Sequence, residues 1–348
     1  MPILQKSEQS PRSSHGWRVG FVALSVALLL AFISFSAAPP ARAASLSSIG
    51  WTTSYYVDAA QASKGDLRTV FAQWATAEAT NDNKVATAHG GCTNGEYTVY
   101  VIIDFGQPTS TNILTWGAGP QTWSQAVQIT LAYANAWYNA SYNCFRMHLV
   151  LGVNNDVCFH WATYPNTDPC VPAAGQQMAQ SVESANASLA SAGESWQVDI
   201  SGGIDIESDG VNSQGQGFGS YSTSLGFANA YTTALNNYPT RYQLYDFGDA
   251  THSCQLDWGC DPTGLIYNVA WNVGYDYPFP EAYSTGQNTN WQEVSRYSSR
   301  NPIQYSVALL DASQGDSTDH TEWQDFLNKN GAWTQGGVLA GSAQLPLG

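Results

Sequence analysis

Gly202-Gly203-Ile204-Asp205-Ile206-Glu207-Ser208-Asp209 ends an apolar, β-rich run that begins at Ile200, and the run stops in acids. Runs of the same kind recur along the chain. They read as strands at Thr53–Val57, Thr98–Asp104, Met147–Val153, Ile200–Glu207, Arg241–Asp246, Leu265–Trp271, Phe279–Tyr283 and Gln304–Leu310. Several are continuous Val/Ile/Leu/Tyr stretches, the pattern of parallel strands covered on both faces. Between them lie apolar stripes at helical spacing. Leu67, Val70, Phe71 and Trp74 make one, Trp123 to Tyr138 a second, Met178 to Leu189 a third, and Phe227 to Leu235 a fourth. Trp291 with Val294, and Trp323 with Phe326 and Leu327, mark two more, the last opened by Asp319 with Glu322 three residues on. Strand–helix alternation implies right-handed crossovers and a parallel sheet, and eight strands favour a closed (β/α)8 barrel over an open sheet. Two crossovers are weak: 247–264 holds a Cys-bounded loop, and 272–278 is too short for a helix. The expectation is an irregular α/β TIM-like barrel in a single domain, residues 44–348.

The segment before it reads as a signal peptide, residues 1–43. Lys6, Arg12 and Arg18 are positive, Val19–Phe35 is an uncharged run of 17 residues, and Pro39-Pro40 precedes Ala41-Arg42-Ala43. A membrane anchor is the competing reading, since 17 residues approaches the lower limit for a span. The small-residue site favours cleavage, a secreted, extracellular product and no membrane association afterwards. Without Lys6, Arg12, Arg18, Arg42 and Glu8, the chain keeps 8 basic and 26 acidic side chains, a net charge of −18. That balance excludes nucleic acid and anionic membrane surfaces as partners, because both need clustered Lys and Arg. The 13 Trp and 19 Tyr suit sugar-stacking faces, and equally the filling of a large core.

Six cysteines in an exported chain read as three disulfides. Spacing favours Cys158–Cys170 and Cys254–Cys260, leaving Cys92 with Cys144. The last two precede the second and third strands, about 4.8 Å apart in a sheet, which suits a bridge.

In such barrels the reactive groups come from C-terminal strand ends. Those ends carry Asp104, then Asp205 and Glu207 with Asp209 beyond, then Asp246, Trp271, Glu281 with Tyr283, and finally Asp311 and Gln314. Asp205 and Glu207, two apart on a strand, share a face with Cα atoms about 6.6 Å apart. Neighbouring carboxyls drive their proton affinities apart, so one serves as acid while the other stays anionic, as glycosidic hydrolysis requires. Helix capping or loop anchoring is the bland alternative for any single acid among them. Gly210–Gly219 lacks a Walker lysine and reads as a connector or a loop over the barrel mouth. No G-x-S-x-G or H-E-x-x-H occurs, and Asp311–Glu322 lacks the EF-hand glycine, so no cofactor or metal is expected.

The set Ile102–Pro108, Asp205-Ile206-Glu207, Leu244–Gly248 and Pro280–Tyr283 resembles a group of secreted actinobacterial barrel proteins, over about Trp51 to Trp333. That group is similar to glycoside-hydrolase-like barrels, including the family 25 lysozymes, whose catalytic pair is an Asp-x-Glu closing a central strand. The resemblance implies Glu207 as general acid and Asp205 as its electrostatic partner. Family 18 chitinases offer a second alignment, Gly-x-Asp-x-Asp-x-Glu, with Gly203, Asp205, Glu207 and Asp209 on those positions; Tyr245-Asp246 is similar to their Tyr-Asp strand. There Gly202 replaces the leading Asp and the donor is the shorter Asp209, so the lysozyme-like alignment is preferred. The combined expectation is a monomer hydrolysing a polysaccharide, peptidoglycan among the candidates, with catalytic Glu207, Asp205 and Asp104. Asp209, Asp246, Trp271, Glu281, Tyr283 and Gln314 would then contact substrate. The rival expectation is a glycan-binding or cell-surface barrel without chemistry.

Overall fold

Tyr97–Asp104 and Phe145–Asn154 are buried along most of their length, and they pair as parallel neighbours. They are β2 and β6 of a parallel sheet in a computed structural model. The structure describes residues 52–58, 66–88, 90–94, 97–115, 119–154, 172–206, 221–248, 250, 262–274, 276–282 and 284–298, then 303, 305, 308, 309, 325, 326, 328 and 329. All of these lie in the compact unit Leu46–Gly348. Among the described residues no helix is long and apolar enough to cross a membrane.

In chain order the elements are β1 (Thr52–Asp58), α1 (Leu67–Ala88), β2, β3 (Gln107–Pro108), β4 (Asn112–Thr115), β5 (Gly119–Thr122), α2 (Trp123–Ala140) and β6. There follow α3 (Pro172–Ala192), β7 (Val198–Asp205), α4 (Tyr221–Leu235), β8 (Leu244–Asp246), α5 (Pro262–Tyr267), β9 (Asp276–Pro278) and α6 (Thr285–Arg296). The main sheet runs β1-β2-β6-β7-β8-β9, every pair parallel. A parallel bridge from Glu281 to Leu309 extends its far edge. The fold is α/β, as the alternation of patterns implies.

Helix starts obey local chemistry. Asp66 accepts the Arg68 N–H and the Thr69 hydroxyl ahead of α1. Thr122 and Gln125 form a reciprocal capping box on α2, and the Ser284 hydroxyl accepts the Gln287 N–H at α6. The helices cover one face of the sheet. There Val99, Val101 and Ile103 of β2 and Met147, Leu149 and Leu151 of β6 are buried with Phe71, Tyr133, Trp137, Met178 and Tyr231. Each such large side chain withdrawn from water contributes about 1.5–3 kcal/mol.

The alternate residues build a second cluster on the opposite face: Tyr100, Ile102, Val150, Tyr245, Phe247, Phe279 and Leu309. Its contacts reveal the sheet's curvature. Between β2 and β9 lie four strand steps, about 19 Å on a flat sheet. Yet the Tyr100 and Phe279 rings are 5.4 Å apart, and Tyr100 also meets Tyr245 edge-on at 6.2 Å. The sheet therefore curls until strands four places apart touch across its concave face. No ladder joins β1 to the Leu309 edge among the described residues, so the observed element is a curled sheet, and the closed ring expected from eight strands is not observed there.

One of the eight expected strands is a helix. Leu265–Trp271 falls in α5 and the π-helical turn Asn268–Asn272. Its buried residues, Ile266, Tyr267, Val269 and Ala270, follow helical spacing. The two weak crossovers on either side thereby merge into one ordinary β8–α5–β9 crossover. An element absent from the sequence reading also emerges: β3, β4 and β5 form an antiparallel meander between β2 and α2.

Cys92 and Cys144 are bonded, with Cα atoms 5.4 Å apart. Cys92 sits in a short turn ahead of β2 and Cys144 immediately ahead of β6, so the bridge ties the N-terminal ends of neighbouring strands. Cys158, Cys170, Cys254 and Cys260 lie outside the described residues.

Candidate active site

The concave face ends, at the C-terminal edge of the sheet, in polar side chains from three adjacent strands. Strand parity dictates them. On β2, Tyr100 and Ile102 point to the concave side, and Asp104 is next in that series. On β6, Val150 leads through Gly152 to Asn154, and on β7, Gly203 leads to Asp205. Register sets Asp104 beside Gly152 and Asn154 beside Asp205. Asp104 is 5%, Asn154 9% and Asp205 4% exposed, so burying these acids and the amide requires partners. The Asn154 amide donates to Asp205 Oδ2 at 2.7 Å, and the Gly106 N–H donates to Asp104 Oδ1 at 2.8 Å. Gly106, at φ 99°, makes the turn that brings this N–H back, and its carbonyl accepts the Asn154 N–H at 2.9 Å.

The floor beneath these groups is the Phe247 ring, and glycines make room for it. A Cβ on Gly152 would lie 2.9 Å from Phe247 Cζ, and one on Gly203 would lie 2.3 Å from Val150 Cγ1 and 3.0 Å from the Phe247 ring. Gly248 has the same constraint nearer the acid. Its Cβ would stand 2.4 Å from the Ile206 carbonyl oxygen and 2.7 Å from Asp205 Oδ1. The bare backbone of Gly248 thus leaves Asp205 its space, and that of Gly203 leaves room for Val150 and the Phe247 ring.

Asp246 does not join this group. It follows Leu244 on the helix-facing side, where Leu244 belongs to the main core. Its Oδ1 accepts the Ile206 and Gly248 N–H groups, each at 3.3 Å. Burial raises its pKa to about 8, against the smaller lowering effect of those two hydrogen bonds. Asp276, at the start of β9, faces the same way; burial, and then the neighbouring Asp246, push its carboxyl well upward. At neutral pH Asp246 is therefore mostly a neutral acid that ties the end of β7 to the end of β8. Trp271, in the π turn, packs on the helix-side core and is likewise away from the concave rim. Glu281 does reach this end of the sheet, in its parallel bridge to Leu309 of the concave-side cluster.

Glu207, Asp209, Tyr283 and Gln314 lie outside the described residues. Of the nine site residues read from sequence, Asp104, Asp205 and Glu281 therefore lie at the C-terminal end of the sheet, while Asp246 and Trp271 face the helix side. The structure adds Asn154, which sequence reading passed over although it is the first polar residue after the apolar run Leu149–Val153. Among the described residues no group of three His, Cys, Asp or Glu side chains could hold a metal.

A concave, buried carboxylate whose one oxygen is held by an amide can bind a hydroxyl or orient a water. With a second acid close by it could also support proton transfer.

No family model and no curated protein matches the chain. Solved structures that resemble it do so faintly. A 2,3-dimethylmalate lyase of the PEP mutase/isocitrate lyase superfamily is 12% identical, with 84% of this chain and 75% of that chain covered, at a TM-score of 0.38. A putative phosphonomutase from Burkholderia cenocepacia is 10% identical over 84% and 86%, at 0.39. A GH5-4 broad-specificity endoglucanase from an uncultured bacterium is 11% identical over 85% and 86%, at 0.41. Likenesses of this size carry no argument about the chemistry, which rests on the rim itself.

Proposed function

We propose that the chain is a secreted glycoside hydrolase that cleaves a polysaccharide by carboxylate acid–base chemistry at the C-terminal rim of a TIM-like barrel. The observation that carries this reading is the Asp104–Asn154–Asp205 row on three adjacent strands, with Asp205 fixed by the Asn154 amide and by the bare Gly248 backbone. Asp205 would stay anionic and face the developing positive charge on the sugar ring. Glu207, two residues on in the sequence, would protonate the leaving oxygen. Asp104 and Glu281 would position hydroxyls or the attacking water. Tyr283, Asp209 and Gln314 would complete the sugar subsites. The acidic surface suits a neutral substrate such as a β-linked glycan, cell-wall glycans included, and three disulfides would suit an extracellular monomer.

A second reading has an observation of its own. Asp104 Oδ1 accepts a hydrogen bond from its own turn and Asp205 Oδ2 one from Asn154, so both acids take part in holding strand ends. A non-catalytic glycan-binding barrel would use the rim in that way. Glu207→Gln separates the two, because it keeps the shape and removes the acid. Release of reducing ends from cellulose, chitin or peptidoglycan should fall by roughly 100-fold or more in the variant. Undiminished cleavage would refute the assignment, and retention on the glycan with no release by either protein would favour the second reading.

A further inference from the structure

The opposite end of the same strands carries a surface that the proposed chemistry does not use. Four large hydrophobic side chains are exposed among the described residues, and two of them, Trp196 at 47% and Tyr142 at 44%, lie in the neighbouring loops that enter β7 and β6. Trp196 is held by contacts to its ring, and Tyr142 by its backbone. The Trp196 indole N–H donates to the Tyr138 hydroxyl at 3.3 Å, and Tyr138 packs edge-on against its ring. The Arg146 guanidinium lies 4.8 Å over the ring centre, itself pinned by donation to the Asn143 and Phe145 carbonyls. Buried Gln197 locks the loops together, its amide donating to Tyr142 O at 2.8 Å and to Ser141 Oγ at 3.0 Å. The Tyr142 N–H is taken by Asn83 Oδ1 at 2.9 Å. Leaving a fixed indole in water, beside an exposed Tyr142, gives up burial energy that a flexible loop could recover by folding it inward.

We infer that the Trp196–Tyr142 rim is a docking platform for a neutral polysaccharide, about 25 Å of strand away from Asp205. The C–H face of a pyranose packs on an indole face, while hydroxyls meet planar donors such as the Arg146 guanidinium, and rings already fixed lose little entropy on binding. A net charge of −15 disfavours polyanions in the same role. This platform is independent of any chemistry at the concave rim.

The test is co-sedimentation of the protein with microcrystalline cellulose, chitin and peptidoglycan sacculi, each over a concentration series. The platform predicts retention on at least one of the three, weakened roughly tenfold or more by Trp196→Ala and by less than about threefold by Trp196→Phe, which keeps a ring. Tyr142→Ala provides an independent variant should Trp196→Ala melt early. Retention on none of the three, equal retention of Trp196→Ala, or an equal loss in Trp196→Phe would overturn it. So would ring-dependent self-association without glycan binding. If Glu207→Gln leaves any cleavage unchanged while Trp196→Ala still abolishes retention, the catalytic reading falls and the platform stands; the reverse pattern removes the platform alone.

Discussion

Replacing Asp246 by asparagine should make the protein more stable at neutral pH. Asp246 is 1% exposed, and its carboxyl holds a proton up to about pH 8, against the ordinary value of 3.8. Between those two values the folded chain keeps the proton while the unfolded chain has lost it. Stability then falls by about 1.4 kcal/mol for each pH unit of rise. From pH 4 to pH 7 this costs the native protein on the order of 4 kcal/mol. The raised Asp276 pKa adds a fall of the same sign. The substituted amide would keep an oxygen for the Ile206 and Gly248 N–H groups and cannot ionise. Urea unfolding followed by tryptophan fluorescence at pH 4, 5.5 and 7 measures this directly. The two proteins should agree within about 1 kcal/mol at pH 4 and diverge toward about 4 kcal/mol at pH 7, the variant being the more stable. Parallel pH profiles, or a variant less stable at pH 7, would show that Asp246 is ionised in the fold and that the assigned burial effect is wrong.

Two further substitutions probe the frame of the rim and one probes the staple. Gly203→Ala drives a methyl into Val150 and the Phe247 ring, and should cost about 1–3 kcal/mol in chemical unfolding; a neutral effect would mean the concave face is not packed as described. Gly248→Ala presses on Asp205 Oδ1 and the Ile206 carbonyl, so any glycan turnover should fall more than stability does, and an unchanged rate would detach Asp205 from the reaction. Replacing Cys92 and Cys144 together by Ser opens a loop of sequence separation 52 and should cost about 4 kcal/mol; a loss under about 1 kcal/mol would argue against unfolded-chain entropy as the source.

Much of the scaffold is legible in the sequence because its strands are buried on both sides and announce themselves as unbroken apolar runs. That same property conceals which way each end residue points. In Leu244-Tyr245-Asp246-Phe247, apolar residues lie on both faces, so the sequence offers no alternation from which to see that Tyr245 and Phe247 turn inward and Asp246 outward. Leu265–Trp271 misleads for a related reason: a short apolar, aromatic-rich run fits a strand or a buried helix equally until its neighbours are known. The Cys92–Cys144 bridge follows from topology, since it needs only the order of two strands. Asn154 escapes notice beside the acids, although an amide at a strand end can hold a carboxylate as well as a second acid can disturb it.

The central claim is that Asp205 works at a site rather than only bracing a strand end, and kcat/KM for Asp205→Asn on whichever polysaccharide the native protein cleaves tests it most directly. The account predicts a fall of roughly 100-fold or more, with the melting temperature of the variant unchanged. A variant that cleaves as fast as the parent, or one whose activity falls only in step with its stability, would contradict it.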